Sequence, residues 1–287
     1  MSENLSTQIA TKLKNIAGFG VAGNFAGHLE QAGETPDFVN VKAESATAPK
    51  GIFPYYLPKA KGQIGEFPLS HEKICYPQNL SEDAHLQAEP EVCVLFEAHY
   101  EFGKVTELKP QAFAAFNDCS IRKPGAKKIS EKKNWGEHTK GISAEFLAID
   151  SLQENAILDQ FHIASFLKRD GVWHAYGEDS PVKTYSYFHQ QLMDWMQDKL
   201  NHQADFGPLE NLNQQLHQIG FPKHLMISLG ATTYTEFGEC TFLQPGDEIA
   251  IYVYNRDLVS AQDVQQDLQG IQALTQGTAS VLKQKIV

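Results

Sequence analysis

Two glutamates one residue apart are the first feature of this sequence that could do chemistry. Glu89 and Glu91 lie in the segment Glu-Pro-Glu-Val-Cys-Val-Leu-Phe, whose apolar run is typical of a β-strand. Side chains two positions apart on a strand project from the same face, so both carboxylates point the same way. Carboxylates this close raise each other's pKa unless a cation lies beside them, and oxygen ligands favour Mg²⁺, Mn²⁺ or Ca²⁺. A solvated strand edge is the alternative interpretation.

A second acidic segment extends this pattern. Asp118 follows Glu91 by 27 residues (118 − 91), in the segment Phe-Asn-Asp-Cys-Ser-Ile-Arg that ends at Arg122. Together the two segments resemble the Glu-x-Glu and Asn-Asp-x-Ser-x-Arg motifs of the fumarylacetoacetate hydrolase superfamily. Weaker similarities follow in the family's order over residues 18–254, and they lie at residues 23–28, 140–143, 166–172 and 243–249.

The resemblance implies a metal site and a reaction. Glu89, Glu91 and Asp118 would hold a divalent metal, with Mg²⁺ expected first and Mn²⁺ or Ca²⁺ as alternatives. The metal would bind a small 2-oxo or diketo acid as a Lewis acid, and His28 would activate water or transfer a proton. The remaining candidates implied by the resemblance are a catalytic lysine and three substrate-binding residues: Lys140, Arg122, Thr232 and Asn24. Arg122 could instead hold the metal-binding loop.

The segment after His28 departs from the family's pattern. Hydrolytic members usually place a glutamate three residues after the histidine, and here that residue is Gln31. Glu30 is retained as the candidate catalytic carboxylate, although Glu30 and Glu34 would point elsewhere on a helix. Whether a carboxylate orients His28 is therefore open.

A glycine motif offers a competing interpretation. Gly18, Gly20 and Gly23 match the Gly-x-Gly-x-x-Gly pattern of dinucleotide-binding loops, and Glu44 lies 21 residues (44 − 23) further on. That motif requires a buried apolar strand directly before it, whereas residues 12–17 are short and polar. We interpret the segment as a glycine turn at the edge of a pocket, with an NAD-linked oxidoreductase as the third hypothesis.

A basic segment follows the second acidic motif. Residues 121–140 contain seven Lys and Arg against two Glu, a net +5 (7 − 2) in a chain of net charge −11. Such a segment beside a pocket would attract and cover a carboxylate-bearing substrate. Gly125, Gly136 and Gly141 would let it move as a lid, and a solvated loop is the alternative.

The secondary structure predicted to position these residues is mainly β-strand. Alternation and apolar runs predict strands over residues 89–97, 112–116, 144–149, 160–169, 225–229 and 248–254, and helical spacing predicts one amphipathic helix over residues 185–200. Strands without intervening helices favour an α+β fold with an antiparallel or mixed sheet. The resemblance implies a mixed β-roll or sandwich core with few helices.

The two ends of the chain have sequence patterns that differ from those of the β-rich core. We predict a small N-terminal subdomain over residues 1–65 that carries the glycine-rich segment and His28, a core over 66–255, and a C-terminal helical extension over 256–287. Within the first segment we expect helices over residues 5–16 and 25–32, a strand over 37–42, and irregular structure over 45–70. Ser260 and Asp263 form a capping pair for the C-terminal helix.

Composition limits the possible functions. A chain of 287 residues with 42% hydrophobic residues can bury a full core, and its net charge of −11 argues against nucleic-acid binding. No apolar run is long enough for a membrane helix, and no secretory signal is visible. The four cysteines show no metal-binding spacing, which is typical of reduced thiols in a cytoplasmic protein.

We expect a cytoplasmic, metal-dependent hydrolase that acts on a carbon–carbon bond of a small anionic 2-oxo acid. The resemblance further implies a homodimer. A decarboxylase or enol-keto isomerase on the same metal site is the alternative, because these reactions share an enolate and differ in their acid and base groups. A non-catalytic binder of an anionic metabolite is the rival from another class.

Overall fold

A computed structural model describes residues 13–41, 43–45 and 47–287 of the chain. Its strands, numbered in chain order, are β1 (Ala17–Ala22), β2 (Gly51–Tyr56), β3 (Leu69–Ser70), β4 (Lys73–Ile74), β5 (His85–Gln87), β6 (Pro90–Glu101), β7 (Lys104–Asn117), β8 (Ser120–Arg122), β9 (Lys140–Ile142), β10 (Leu147–Ala148), β11 (Phe161–Arg169), β12 (Val172–Pro181), β13 (His224–Ser228), β14 (Glu248–Asn255) and β15 (Ala279–Ile286). The α-helices are α1 (His28–Gln31), α2 (His189–His202), α3 (Leu212–Gln218), α4 (Glu236–Cys240) and α5 (Ala261–Leu268). Within the described residues, no helix has the length and apolar character needed to cross a membrane.

The strands form two large sheets and one small one. The eight-stranded sheet has the order β2-β1-β13-β6-β7-β9-β3, with β10 also paired to β7, and the five-stranded sheet has the order β12-β11-β14-β15-β4. β5 and β8 form a separate pair. The pairs β1–β13, β3–β9 and β4–β15 are parallel, and the other pairs are antiparallel. The predicted β-rich α+β fold with a mixed sheet is confirmed.

The hairpin of β6 and β7 positions the acidic residues. Phe102 and Gly103 both have positive φ at its turn, which is the geometry of a tight two-residue hairpin loop. The resulting register pairs Pro90 with Asn117 and Glu91 with Phe116. The end of β7 therefore lies beside the start of β6.

The core lies between the two large sheets and under α2. Phe113 of β7 packs edge-to-face on Phe161 of β11, with ring centroids 4.9 Å apart. The apolar face of α2 is buried through Leu192, Trp195 and Met196, which confirms the predicted amphipathic helix.

The glycine-rich segment is a strand, and the predicted glycine turn is wrong over its first half. All six residues of β1 are buried. A Cβ atom on Gly18 would lie 2.1 Å from Cε2 of Tyr55, and one on Gly20 would lie 2.4 Å from Cζ of Phe53. These glycines therefore make room for aromatic rings of β2 and do not form a phosphate-binding loop.

Two other predictions in the N-terminal segment are wrong. Thr35–Phe38 is a 3₁₀ turn where a strand was predicted over residues 37–42, because Pro36 at its start favours a helical turn. Residue 42 and residues 1–12, which hold most of the predicted first helix, lie outside the described residues. β2 is a buried strand within the stretch predicted to be irregular. Its Pro54 is tolerated because β2 lies at the edge of the sheet.

The C-terminal segment is only partly helical. Ser260 and Asp263 form the predicted capping box at the start of α5. Residues 279–286, however, form β15 between β14 and β4, so the prediction of helix is wrong there. The exposed Lys283 and Lys285 alternate with buried neighbours, which is the period of a half-buried strand.

Candidate metal centre

Three carboxylates meet at the start of the β6–β7 hairpin. Glu89, Glu91 and Asp118 each offer an oxygen atom, and these oxygens lie within 4.8 Å of one another. The backbone N–H of Asp118 donates to the carbonyl of Glu89 over 2.9 Å, which fixes their separation. All three side chains are buried. The structure therefore brings the three predicted metal ligands together.

The geometry and chemistry of this triad suit a hard divalent ion. Oxygen ligands about 2.1–2.4 Å from an ion lie up to about 4.2–4.8 Å apart, which matches the spacing here. Glu91 in particular forms no ion pair in the described part of the chain, and its Oε2 accepts the N–H of Gly230 over 3.0 Å. Burial and the charges of Asp118 and Glu89 hold the pKa of Glu91 well above its usual range. The residues present could hold a metal.

Two buried lysines lie against the triad. Lys133 Nζ is 2.8 Å from Glu89 Oε2, 2.6 Å from Asp118 Oδ2 and 2.6 Å from the hydroxyl of Ser120. Lys140 Nζ is 2.9 Å from Asp118 Oδ1 and also donates to the carbonyl of Cys119. Lys140 is thus in the site, in contact with a triad member. Burial lowers the pKa of Lys140, whereas the charge of Asp118 raises it.

A second layer of ion pairs surrounds Arg122. Its Nη1 lies 2.7 Å from both Glu89 Oε1 and Glu34 Oε1, and its Nε donates to Gln87 over 2.8 Å. Lys132 binds the same oxygen of Glu34 at 2.7 Å. Burial opposes ionisation of Glu89, but Lys133 and Arg122 outweigh it and hold the pKa of Glu89 well below its usual range. Arg122 is therefore paired with Glu89 of the triad and with Glu34, and its predicted role stays a prediction.

His28 lies at the start of α1 and is anchored through one ring nitrogen. Its Nδ1 is 3.0 Å from the carbonyl oxygen of Thr232. A carbonyl only accepts, so Nδ1 carries the proton and Nε2 keeps its lone pair. Burial lowers the pKa of His28 to about 4, although the charge of Glu89 acts in the opposite direction. His28 is consequently a neutral imidazole at pH 7, as a general base must be.

The loop after β13 connects His28 to the triad. Gly230 donates to Glu91, and the N–H of Thr232 donates to the carbonyl of Pro90 over 3.2 Å. Gly230 has a φ of 113°, and a Cβ atom there would lie 3.1 Å from that of Asn24, so glycine is required. The structure thus places Thr232 beside His28 through its backbone.

Asn24 is buried and fully engaged. Its Nδ2 donates to the carbonyls of Tyr187 and Leu229 over 3.0 and 2.9 Å, and its Oδ1 accepts from the N–H of Tyr187. Both amide hydrogens are used, which leaves no donor for a substrate. In this structure Asn24 fastens the turn before α1 to the rest of the fold.

Glu30 and Gln31, the two polar residues of α1 after His28, differ in their surroundings. Glu30 is exposed and lies outside the ion pairs of the site. Gln31 bonds the backbone of Tyr234 in both directions, with Nε2 donating over 3.1 Å and Oε1 accepting over 2.9 Å. The backbone oxygen of Thr232, and neither of these side chains, orients His28.

Sequence reasoning missed Lys133, Lys132 and Glu34 as members of the site. The signal for the lysines was present, because the basic segment of residues 121–140 was recognised as unusual in an acidic chain. Its solvated-loop interpretation is wrong for these two lysines, which are 2% and 4% exposed. Glu34 was considered only as a neighbour of His28, whereas its partners are cations far along the chain.

The two large sheets form a fumarylacetoacetate hydrolase-like fold, which solved structures of low sequence identity share. The similar solved structures include Cg1458 with inhibitor, at 15% identity and a TM-score of 0.54 over 94% of this chain and 76% of that chain. Maleylpyruvate hydrolase from Sphingobium sp. SYK-6 has 10% identity and a TM-score of 0.50 over 99% of this chain and 82% of that chain. At these identities the likeness shows the fold.

The sequence itself belongs to a narrower family. Residues 34–286 match the model of the family of unknown function DUF5718, so the chain is a member of that family. No curated protein matches it significantly. The reaction must therefore be argued from the site.

Proposed function

We propose that this chain is a divalent-metal-dependent enzyme that hydrolyses a carbon–carbon bond of a small 2-oxo or diketo acid of the acylpyruvate type. The observation that carries the proposal is the buried triad of Glu89, Glu91 and Asp118, with a neutral His28 anchored to the same loop. The name of maleylpyruvate hydrolase, which shares the fold, supports this substrate class.

The triad would hold Mg²⁺ or a similar hard ion. Such an ion supplies Lewis-acid stabilisation to the carboxylate and keto oxygens of a 2-oxo acid. Asp118 would be kept in place by Lys140, and Glu89 by Arg122. Glu91, whose carboxylate has no cation partner in the described residues, would gain most from the ion.

His28 would act as the general base. Its Nε2 lone pair would take a proton from the attacking water, and the carbonyl of Thr232 would stabilise the imidazolium through Nδ1–H. After bond cleavage the same nitrogen would return the proton to the departing carbanion.

Access to the site requires movement of a covering segment. Glu89, Glu91, Asp118 and Lys133 are at most 4% exposed, so the site is closed in this structure. The basic segment of residues 121–140 supplies one of its walls through Lys133. We propose that this segment acts as the lid, and protection from protease on ligand binding would test that role.

Calorimetric titration tests the proposed function. Mg²⁺ or Mn²⁺ would be added to chelator-treated protein with and without oxalate, an enolpyruvate mimic. We expect metal-dependent oxalate binding that is lost in Glu91→Gln and kept in Glu30→Gln, an exposed glutamate on α1. Acylpyruvates would then be screened for release of pyruvate. Oxalate binding without turnover of any substrate would favour a non-catalytic binder, and absence of metal binding would refute the proposal.

Gln31 favours a second candidate reaction. Within the described residues, Nδ1 of His28 is held by the carbonyl of Thr232 and not by a carboxylate, so the site also suits decarboxylation or enol-keto isomerisation, which need a proton shuttle but no activated water. Gln31→Glu would separate the cases. A gain of hydrolysis would indicate that the natural chain has lost hydrolytic activity, and no gain would indicate that it catalyses a different reaction. Product analysis by NMR would identify carbon dioxide release or tautomer exchange directly.

We further propose that the protein is a cytoplasmic homodimer, and light scattering would test the oligomeric state.

A further inference from the structure

We propose that the Lys133 ammonium is a tethered cation that occupies the acidic triad in the metal-free protein, and that a divalent metal must displace it to bind. The inference rests on the proposed metal-dependent function and concerns how the same site is regulated. In consequence, metal binding and the opening of the closed site would be one event.

Every oxygen of two triad members already has a cation beside it. Glu89 Oε1 lies 2.7 Å from Arg122 and Oε2 lies 2.8 Å from Lys133. Asp118 Oδ1 lies 2.9 Å from Lys140 and Oδ2 lies 2.6 Å from Lys133. A metal that uses both carboxylates would compete with these cations for the same oxygen atoms. Lys133 is the one that contacts both.

The placement of Lys133 makes it the cation able to leave. Arg122 lies in β8 and Lys140 in β9, so the sheets hold their backbones. Lys133 follows the 3₁₀ turn Ile129–Lys132, outside the strands, and its side chain is a flexible four-carbon stem. Its Nζ lies 2.6 Å from Asp118 Oδ2 and 2.8 Å from Glu89 Oε2, so its departure would free one oxygen atom of each carboxylate.

Charge explains why the ammonium and the metal exclude each other. A metal about 2.1–2.4 Å from the triad oxygens would lie within a few ångströms of an ammonium that binds the same carboxylates. Two such cations in a buried site repel strongly. Lys133 is 2% exposed, so its departure would also open a wall of the site to solvent.

Lys133→Met tests the inference because it removes the ammonium while keeping a similar length and apolar stem. Lys128→Met is the matched control, since it removes a positive charge from the same segment. Lys128 binds Asp205 at 2.9 Å and carbonyls of residues 207 and 209, away from the triad. Mn²⁺ would be titrated by calorimetry into the chelator-treated full chain. We expect Lys133→Met to bind at least about tenfold more tightly than the natural chain, and Lys128→Met to bind within about threefold of it.

A measurement on the natural chain avoids any folding defect of the variant. Reductive methylation followed by mass spectrometry reports which lysines are accessible. We expect Lys133 to be protected without Mn²⁺ and modified when Mn²⁺ saturates the protein, while Lys140 stays protected in both. Equal protection of Lys133 with and without bound Mn²⁺ would overturn the inference.

The outcomes separate this inference from the proposed function. If the natural chain and Lys133→Met bind Mn²⁺ equally, or the variant binds more weakly, the displacement is refuted and the metal site stands. If neither binds, the metal-dependent function fails and the inference fails with it. If only Lys133→Met binds, the tethered cation is upheld and metal dependence of the natural chain is refuted.

Discussion

Nδ1 of His28 lies 3.0 Å from the main-chain oxygen of Thr232, a residue 204 positions further along the chain. A backbone carbonyl thus performs the orienting task that the family resemblance assigns to a carboxylate. The bond fixes the tautomer and leaves Nε2 as the free base, without placing another negative charge beside the acidic triad.

Replacing His28 should remove activity and spare metal binding. In His28→Asn the base is lost while Glu89, Glu91 and Asp118 keep their positions, so turnover should fall by about 10²–10⁴-fold. Pyruvate release and Mn²⁺ titration would be measured on the same preparation. Glu30→Gln, which alters an exposed residue of α1, should retain full activity. Undiminished turnover in His28→Asn would exclude His28 as the base.

Asn24→Ala should destabilise the fold strongly. The substitution leaves the N–H and carbonyl of Tyr187 and the carbonyl of Leu229 without their buried partner. We expect a loss of about 3 kcal/mol or more in the free energy of unfolding, measured by urea denaturation. A stable Asn24→Ala protein with a raised KM would instead support the predicted role in substrate binding.

Gln31→Glu should cost about 1–3 kcal/mol at neutral pH. The new carboxylate cannot donate to the carbonyl of Tyr234, and it would face Glu239, whose Oε2 now accepts from Gln31 over 3.2 Å. Acidification towards pH ~4 protonates the introduced group and restores a donor, so the difference from the natural chain should shrink. Thermal denaturation at several pH values measures this. A constant difference would contradict the explanation.

Glu91→Gln should act in opposite directions on two measurements. In chelator, removal of one of three close buried carboxylates relieves the repulsion that raises the pKa of Glu91, so the melting temperature should rise. The amide oxygen can still accept from Gly230. Mn²⁺ affinity should fall by about 100-fold or more, because a ligand is lost. A lower melting temperature of Glu91→Gln in chelator would contradict this explanation, because it would show that the Glu91 carboxyl group stabilises the metal-free protein.

Glu210 should make stability depend on pH. Burial raises the pKa of this carboxyl, which accepts a hydrogen bond from Ser130, to about 7 from an ordinary value of 4.5. Because the folded state binds the proton more tightly, the stabilisation is complete below pH 4.5 and is lost as the pH rises through about 7. Glu210→Gln should therefore match the natural chain near pH ~4.5 and exceed it by up to about 3 kcal/mol near pH ~8. The free energy of unfolding would be measured by urea denaturation at both pH values. The same difference between the variant and the natural chain at both would refute this explanation.

The strands that the sequence predicted are those with a clear period or a long apolar run. β6, β7, β11, β13 and β14 lie where the pattern predicts them, because such runs can be buried only in a sheet. β1 and β2 were not predicted, because their glycine and proline residues are explained by neighbours in the tertiary structure and not by a pattern in the local sequence. The glycines of β1 suggest a turn in the sequence, whereas in the structure they make room for the rings of Tyr55 and Phe53. Pro54 suggests the end of a strand, whereas β2 tolerates it because this strand lies at the edge of the sheet.

The sequence by itself determined the acidic triad. The spacing of Glu89 and Glu91 predicts that they share a face, although β6 itself begins at Pro90, and the family resemblance of the motif around Asp118 supplies the third carboxylate. Only the tertiary structure decided which cations meet them. Lys133 and Glu89 are 44 positions apart, and Lys132 and Glu34 are 98 apart. A lysine stem can reach in many directions, so its partner depends on how distant segments pack, which local pattern does not encode.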